Sequence, residues 1–288
     1  MYSLKRRHNM KNKIAAIIGG DERFLILGKM LEKKGNTVCC IGQKSELTEE
    51  EMKHVKNAEI IILPMPCTND GKRINGGAKP FITEELTATM EGKPVFAGMT
   101  ERLENSLRER LRLYDYGKRE DYLILNAQAT AEAAIARAVE LSPRTLFDSK
   151  VLVIGFGRIG KALTNMLKAI GAEVTVCARR SEHFAQIECI GAKKAEYSEL
   201  GTVAEASDII INTVPAPVLD ESMIAGLSDK QVIIDLASGE GGVDFTATEK
   251  YGITAEHALS LPGKYSHESA ARFIYDTIDA MIKEGDIR

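Results

Sequence analysis

Ten residues, Val151-Leu152-Val153-Ile154-Gly155-Phe156-Gly157-Arg158-Ile159-Gly160, constrain this chain more than any other stretch. Four apolar strand formers run into three glycines at G-x-G-x-x-G spacing. An amphipathic pattern of Ala162, Leu163, Met166, Leu167 and Ile170 follows at helical intervals. Gly155 permits the tight turn from strand to helix. Gly157 lets the backbone approach a pyrophosphate with no Cβ in the way, and Gly160 lets the helix pack closely on the strand. The helix N-terminus then offers unpaired N–H groups and a partial positive charge to phosphate oxygens. Residues Gly155, Phe156, Gly157, Arg158, Ile159 and Gly160 are therefore the expected cradle of a dinucleotide. A glycine turn without a ligand is the alternative, and the strand-before, helix-after context weighs against it.

The next strand discriminates between cofactors. A domain that binds NAD(H) usually carries Asp or Glu about 20 residues past the glycines, where it accepts a hydrogen bond from the ribose 2′-OH. Here the strand 173–177 runs into Ala178-Arg179-Arg180-Ser181. Two guanidinium groups stand where the acid belongs, and Ser181 adds a hydroxyl. Arg forms paired charge-assisted bonds to a phosphate and stacks on adenine. This favours NADP(H) over NAD(H), against the alternative that both arginines are solvated loop residues. Thr213 and Pro215, after the apolar segment 208–212, and Asp235 and Ser238, at and just past the end of the segment 231–236, are expected at the same sheet edge. Each of these is weighed against an ordinary turn.

The rest of the chain supplies the frame. Its 288 residues suffice for two domains, and 44% hydrophobic with 27% charged residues is a globular composition. A net charge of −3 gives no basic excess for nucleic acid, and no apolar run is long enough to span a bilayer. The five cysteines include no C-x-x-C pair and no Cys/His ligand spacing, so reduced thiols in the cytoplasm and no metal are expected. Strand and helix patterns alternate in both halves, which predicts an α/β fold of two Rossmann-like, doubly wound parallel sheets. The expected divisions are a disordered leader at 1–10, an N-terminal substrate domain at 11–125 and a linker helix at 126–142. A Rossmann domain at 143–262 and a C-terminal helical segment at 263–288, returning to the N-terminal domain, complete the chain.

Several motifs stand in a telling order. They are Gly19-Gly20-Asp21-x-Arg23, Pro64-Met65-Pro66 with Thr68 to Gly71, and Asn126-Ala127-x-Ala129-Thr130-Ala131-Glu132. After the glycine fingerprint come Ala178-Arg179-Arg180, Asn212-Thr213-Val214-Pro215-Ala216 and Leu259-Ser260-Leu261-Pro262-Gly263-Lys264. Together, and over essentially the whole chain after Met10, they resemble the family of A-type subunits of dipicolinate synthase. The resemblance implies two Rossmann-like domains with a cleft between them, as in D-2-hydroxyacid dehydrogenases. It implies NADP-dependent oxidation of a dihydrodipicolinate-type intermediate of the lysine pathway in spore-forming bacteria. It also implies the flavoprotein-like B-type subunit of dipicolinate synthase as partner, and fold analogy suggests a homo-oligomer. The helix after Asn126 and the stretch Tyr265-Ser266-His267-Glu268 depart from the family pattern.

Dipicolinate is a planar ring with two carboxylates, so its site needs cations or N–H donors on both sides. Arg23, Thr68, Asn69, Asn126 and Lys264 are the substrate-binding candidates, with a surface ion pair the alternative for Arg23 and a solvated loop lysine that for Lys264. Asp21 reads as an N-cap. His257 and His267 are the candidates for a general base. Aromatisation is favourable enough that water can take the proton without one. The competing functions are an NADP-dependent 2-hydroxyacid dehydrogenase or imine reductase, and an NADP-binding regulatory subunit. The first of these lacks a recognisable Arg/Glu/His set.

Overall fold

The computed structural model describes residues 10–42 and 46–285. The chain divides into two compact units: residues up to Leu125 together with those from Ser266 onward, and Asn126–Tyr265. The proposed leader at 1–9 lies outside the described residues. Met10, the last residue of the leader expected at 1–10, is buried in the first unit and its N–H donates to Asp279 Oδ1 at 3.3 Å.

The first unit contains β1 (Ile14–Ile18), α1 (Glu22–Lys33), β2 (Thr37–Ile41), α2 (Glu49–Asn57) and β3 (Ile60–Ile62). It continues with α3 (Glu84–Met90), β4 (Pro94–Ala97), α4 (Asn105–Arg110) and β5 (Arg112–Asp115). Its strands pair in parallel in the order β2-β1-β3-β4-β5. The central strands are apolar at successive positions because helices cover both faces, so there is no solvent side to alternate with. Asp21 caps α1 and Thr83 caps α3, while Thr48 and Glu51 form a capping box on α2.

α5 (Glu120–Leu141) crosses from the first unit into the second. The second unit then runs β6 (Lys150–Ile154), α6 (Arg158–Ile170), β7 (Glu173–Cys177), α7 (Ser181–Cys189), β8 (Lys193–Ala195), α8 (Leu200–Glu205) and β9 (Ile209–Asn212). It ends with α9 (Glu221–Ile224), β10 (Val232–Asp235), α10 (Phe245–Tyr251), β11 (Thr254–His257) and α11 (Leu261–Tyr265). The parallel order is β11-β10-β9-β6-β7-β8. α12 (His267–Glu284) returns to the first unit and packs on α1, burying Phe273, Ile274 and Ile278.

The architecture is two parallel-sheet α/β domains of Rossmann type. The chain reverses its direction of sheet growth between β1 and β3 in one unit and between β6 and β9 in the other. At such a point the loops beyond the strand ends part and leave a crevice. Two strands escaped sequence reasoning for a common reason. β5 and β8 are short edge strands, with Arg112 and Asp115 in one and Lys193 and Lys194 in the other. Charge on an edge strand blocks further pairing and also erases the apolar signal. Leu103 and Leu111 are buried in the extended segments that flank α4. The helix expected from Asn126 begins at Glu120, where Tyr122 is buried edge-on to Tyr116 at 5.7 Å.

The thiols divide by burial. Burial pushes Cys40 and Cys67 up to about 11 and Cys177 up to about 12, whereas Cys189 is exposed on α7. The thiolate is the reactive form. A disulfide reagent at neutral pH is thus expected to give one fast phase, removed by Cys189→Ser, with Cys67 and Cys177 reacting only on unfolding. A fast phase that survives Cys189→Ser would contradict this ordering.

Candidate functional site

The glycine turn between β6 and α6 separates its three glycines by what surrounds them. Gly155 has φ +95°, and a Cβ there would lie 2.5 Å from Thr213 Oγ1 and 2.8 Å from Val214 Cγ2. At Gly160 a Cβ would collide with the carbonyl of Gly155. These two glycines are required by packing within the protein. Gly157 differs: no heavy atom lies within 4 Å of its Cβ position, and it is the N-cap residue of α6 with no side-chain cap. An uncapped helix N-terminus whose N-cap glycine faces open space is a cradle for an anion. Phe156 is buried in the core, so it presents only backbone to a ligand, and the partly buried Ile159 packs against the same core. Arg158 is exposed.

Thr213 sits on this turn. Its hydroxyl donates to the Ile154 carbonyl at 2.9 Å and, with the Val214 side chain, closes the space beside Gly155. Pro215 and Ser238 are exposed in the neighbouring loops. Asp235, expected at the cofactor, requires correction. It is fully buried, with Oδ1 accepting from Asn212 Nδ2 at 2.9 Å and Ala237 N at 3.0 Å, and Oδ2 accepting from Gly242 N at 2.7 Å. Its carboxylate ties the loop after β10 to the end of β9, and no oxygen faces a ligand.

Beyond β7, both arginines are exposed but neither is loose. The Arg179 guanidinium lies 4.8 Å over the Tyr197 ring. Arg180 pairs with Glu182 at 3.1 Å and its Nη2 reaches His183 Nε2 at 2.5 Å. Ser181, also exposed, begins α7. His183 is a residue that sequence reasoning missed. The available signal was its spacing: three residues past Arg180 on a helix, the two share a face.

The histidine candidates are engaged elsewhere. His257 Nε2 lies 2.9 Å from the Ala237 carbonyl and its ring stacks on Phe245 at 5.5 Å. His267 faces Glu22 at 3.5 Å in the first unit. Each is explained by these contacts, and neither is set up as a general base.

In the first unit Arg23 emerges from the first turn of α1, largely buried. Its Nη2 bonds Asp21 Oδ2 at 2.7 Å and reaches the Met65 carbonyl at 3.4 Å. Burial works against its charge, but the Asp21 hydrogen bond and charge outweigh that and hold its pKa above the ordinary value. Asp21 also caps α1 by accepting from Arg23 N. Around Arg23 lie the buried phenols of Tyr116 and Tyr122, the latter pushed up to about 12 by desolvation. Thr68 needs correction as a substrate ligand: it is fully buried, and its hydroxyl accepts from Gly71 N and contacts Asp70. Asn69 turns away to accept from Arg102 at 3.2 Å. Asn126 is half-buried on α5, and Lys264 is exposed on α11. Arg23 is thus the sequence candidate that the first unit places in a polar setting with restricted solvent.

Comparison with known proteins agrees with this geometry. Residues 14–116 match the family model for the N-terminal domain of the A-type subunit of dipicolinate synthase, and residues 122–244 match that of the D-isomer specific 2-hydroxyacid dehydrogenase, NAD binding domain. The A-type subunit of dipicolinate synthase from Bacillus subtilis (strain 168) is 29% identical over 93% of this chain and 95% of its own length. The crystal structure of the same subunit from Bacillus halodurans superposes with a TM-score of 0.86 at 27% identity, covering 95% of this chain and 99% of that one. A transhydrogenase from Sinorhizobium meliloti has a TM-score of 0.69 at 14% identity over 93% of each chain, a likeness of fold alone. No helix among the described residues is long and apolar enough to cross a membrane.

Proposed function

As a relative of the A-type subunit of dipicolinate synthase along almost its whole length, the chain is an oxidoreductase with a nicotinamide-dinucleotide domain, and we propose that it uses NADP to oxidise a dihydrodipicolinate-type ring dicarboxylate to dipicolinate. The observation that carries the cofactor choice is the pair Arg179 and Arg180 at the end of β7, each already held by a neighbour, where an NAD site would have an acid. NADP, when bound, supplies the hydride acceptor. The amides of residues 155–160 hold its diphosphate, and the two arginines with Ser181 hold its 2′-phosphate. In the first unit Arg23 is the group assigned to a substrate carboxylate, exchanging part of its contact with Asp21. The ring proton passes to water, since aromatisation drives its loss and His257 Nε2 is committed to Ala237.

Against the 2-hydroxyacid dehydrogenase reading, whose NAD-binding domain the second unit resembles, stand side chains of that unit. There Arg137 binds Glu256 through Nε at 2.8 Å and Nη2 at 2.6 Å, so both groups are consumed in a structural ion pair. We assign the chain a cytoplasmic role in sporulation, working with a flavoprotein-like second subunit. The test supplies the lysine-pathway intermediate and NADP to the purified chain, with and without that subunit, and follows nicotinamide reduction and pyridine dicarboxylate formation. Product in either arm is expected. No product in both arms, with NADP binding intact, would replace the enzyme by an NADP-binding regulatory subunit.

A further inference from the structure

We propose that His183 is a positioning residue that sets Arg180 for recognition of the cofactor's 2′-phosphate; this rests on the NADP reading above. Arg180 stands at the N-cap of α7, exposed, with a long side chain that would otherwise sample many rotamers. A guanidinium has donors only. The ring nitrogen that faces Arg180 Nη2 at 2.5 Å must therefore offer its lone pair, which places the imidazole proton on Nδ1 and makes the ring neutral. The histidine is itself fixed. It is buried, and its ring meets Phe156 edge-on with centroids 5.4 Å apart. Phe156 is the residue between the first two glycines of the turn, so the imidazole is keyed into the diphosphate cradle and hands that position on to the arginine.

The charged groups around the ring agree with a neutral acceptor. Burial first, then Arg180 and Lys161, pull its pKa below the ordinary value, with Glu182 opposing them. Lys161 comes from α6, with its Nζ 5.6 Å from the Phe156 ring centroid; Arg180 and Glu182 come from the start of α7. Glu182 grips the other side of the guanidinium. Arg180 is thereby held at two points, of which His183 is the buried, uncharged one that does not compete electrostatically with an incoming phosphate.

The experiment compares NADP and NAD dissociation constants, by calorimetry near pH 7.5, for the wild type, His183→Phe, His183→Gln, Arg180→Ala and the double variant Arg180→Ala with His183→Phe. Phe keeps an aromatic ring against Phe156 but lacks an acceptor; Gln restores an acceptor oxygen. His183→Phe is expected to weaken NADP about fivefold, less than the roughly tenfold loss of a direct bond because Arg180 remains and loses only its positioning, and to leave NAD unchanged. His183→Gln should recover most of that loss. Adding His183→Phe to Arg180→Ala should change nothing further. Equal weakening of both cofactors, or an undiminished effect without Arg180, would overturn the proposal. An Arg180→Ala variant with an unaltered NADP-to-NAD ratio would instead bring down the NADP reading beneath it. Thermal melting of each variant identifies any that fail to fold, in which case His183→Gln against the wild type decides alone.

Discussion

Replacing Arg179 and Arg180 together by Ala is expected to raise the NADP dissociation constant by about two orders of magnitude, with the NAD constant within about twofold of its starting value. The size follows from the number of bonds lost. A hydrogen bond to a charged group contributes about 1.5–3 kcal/mol, and solvent exposure puts both arginines at the low end, so each is worth roughly tenfold. Their present contacts set the entropy term. Arg179 lies over Tyr197 and Arg180 is held by His183 and Glu182, so less rotamer freedom is lost on binding than for a free arginine. Glu182 acts in the opposite sense, since it must give up part of its pairing. Calorimetric titration at fixed ionic strength checks the result, and the single variants should fall between. Equal loss of NADP and NAD would move the arginines to the adenine or the diphosphate. No loss for either would return them to solvent.

The second large effect is on stability. Asp235→Ala should destabilise the second unit by about 3–5 kcal/mol, because each of two buried N–H groups left without a partner costs about 1–3 kcal/mol. The carboxylate is fully buried and satisfies Asn212 Nδ2, Ala237 N and Gly242 N together. Of these, Asn212 keeps its bond to the Val214 carbonyl at 3.0 Å, while the two backbone N–H groups lose a partner that water reaches poorly. At about 2–4 °C per kcal/mol for a chain of this order, Tm should fall by roughly 6–20 °C. Asp235→Asn keeps the shape but places an N–H₂ opposite at least one donor, so it should lose about half as much. A change under about 2 °C for Asp235→Ala would show that the loop after β10 is held by other contacts.

Asp235 and His183 mark the boundary of what sequence reasoning reached. Asp235 was legible as a polar residue at the end of a strand, and it is the last residue of β10. Its direction was not legible, because it depends on Asn212 and on Gly242, whose tight packing against the Asn212 side chain and the Val214 carbonyl is set by the fold. Thr68 is the same case: a loop hydroxyl that reads as a ligand until Gly71 N and Asp70 are found beside it. His183 shows the reverse error. It sits in an unremarkable helix, and its importance arises only from the Phe156 ring on one side and Arg180 on the other.

From its residues in order the chain specified two parallel α/β sheets, a dinucleotide turn and the missing acid after β7, because strand burial, helix capping and glycine turns are decided by neighbours within a few positions. Folding alone decided which polar groups stay available and which are consumed. A buried donor or acceptor must find a partner. The farthest partners of Asp235, His257 and Arg137 lie 23, 20 and 119 residues away along the chain, brought to them by the sheets rather than by the local sequence.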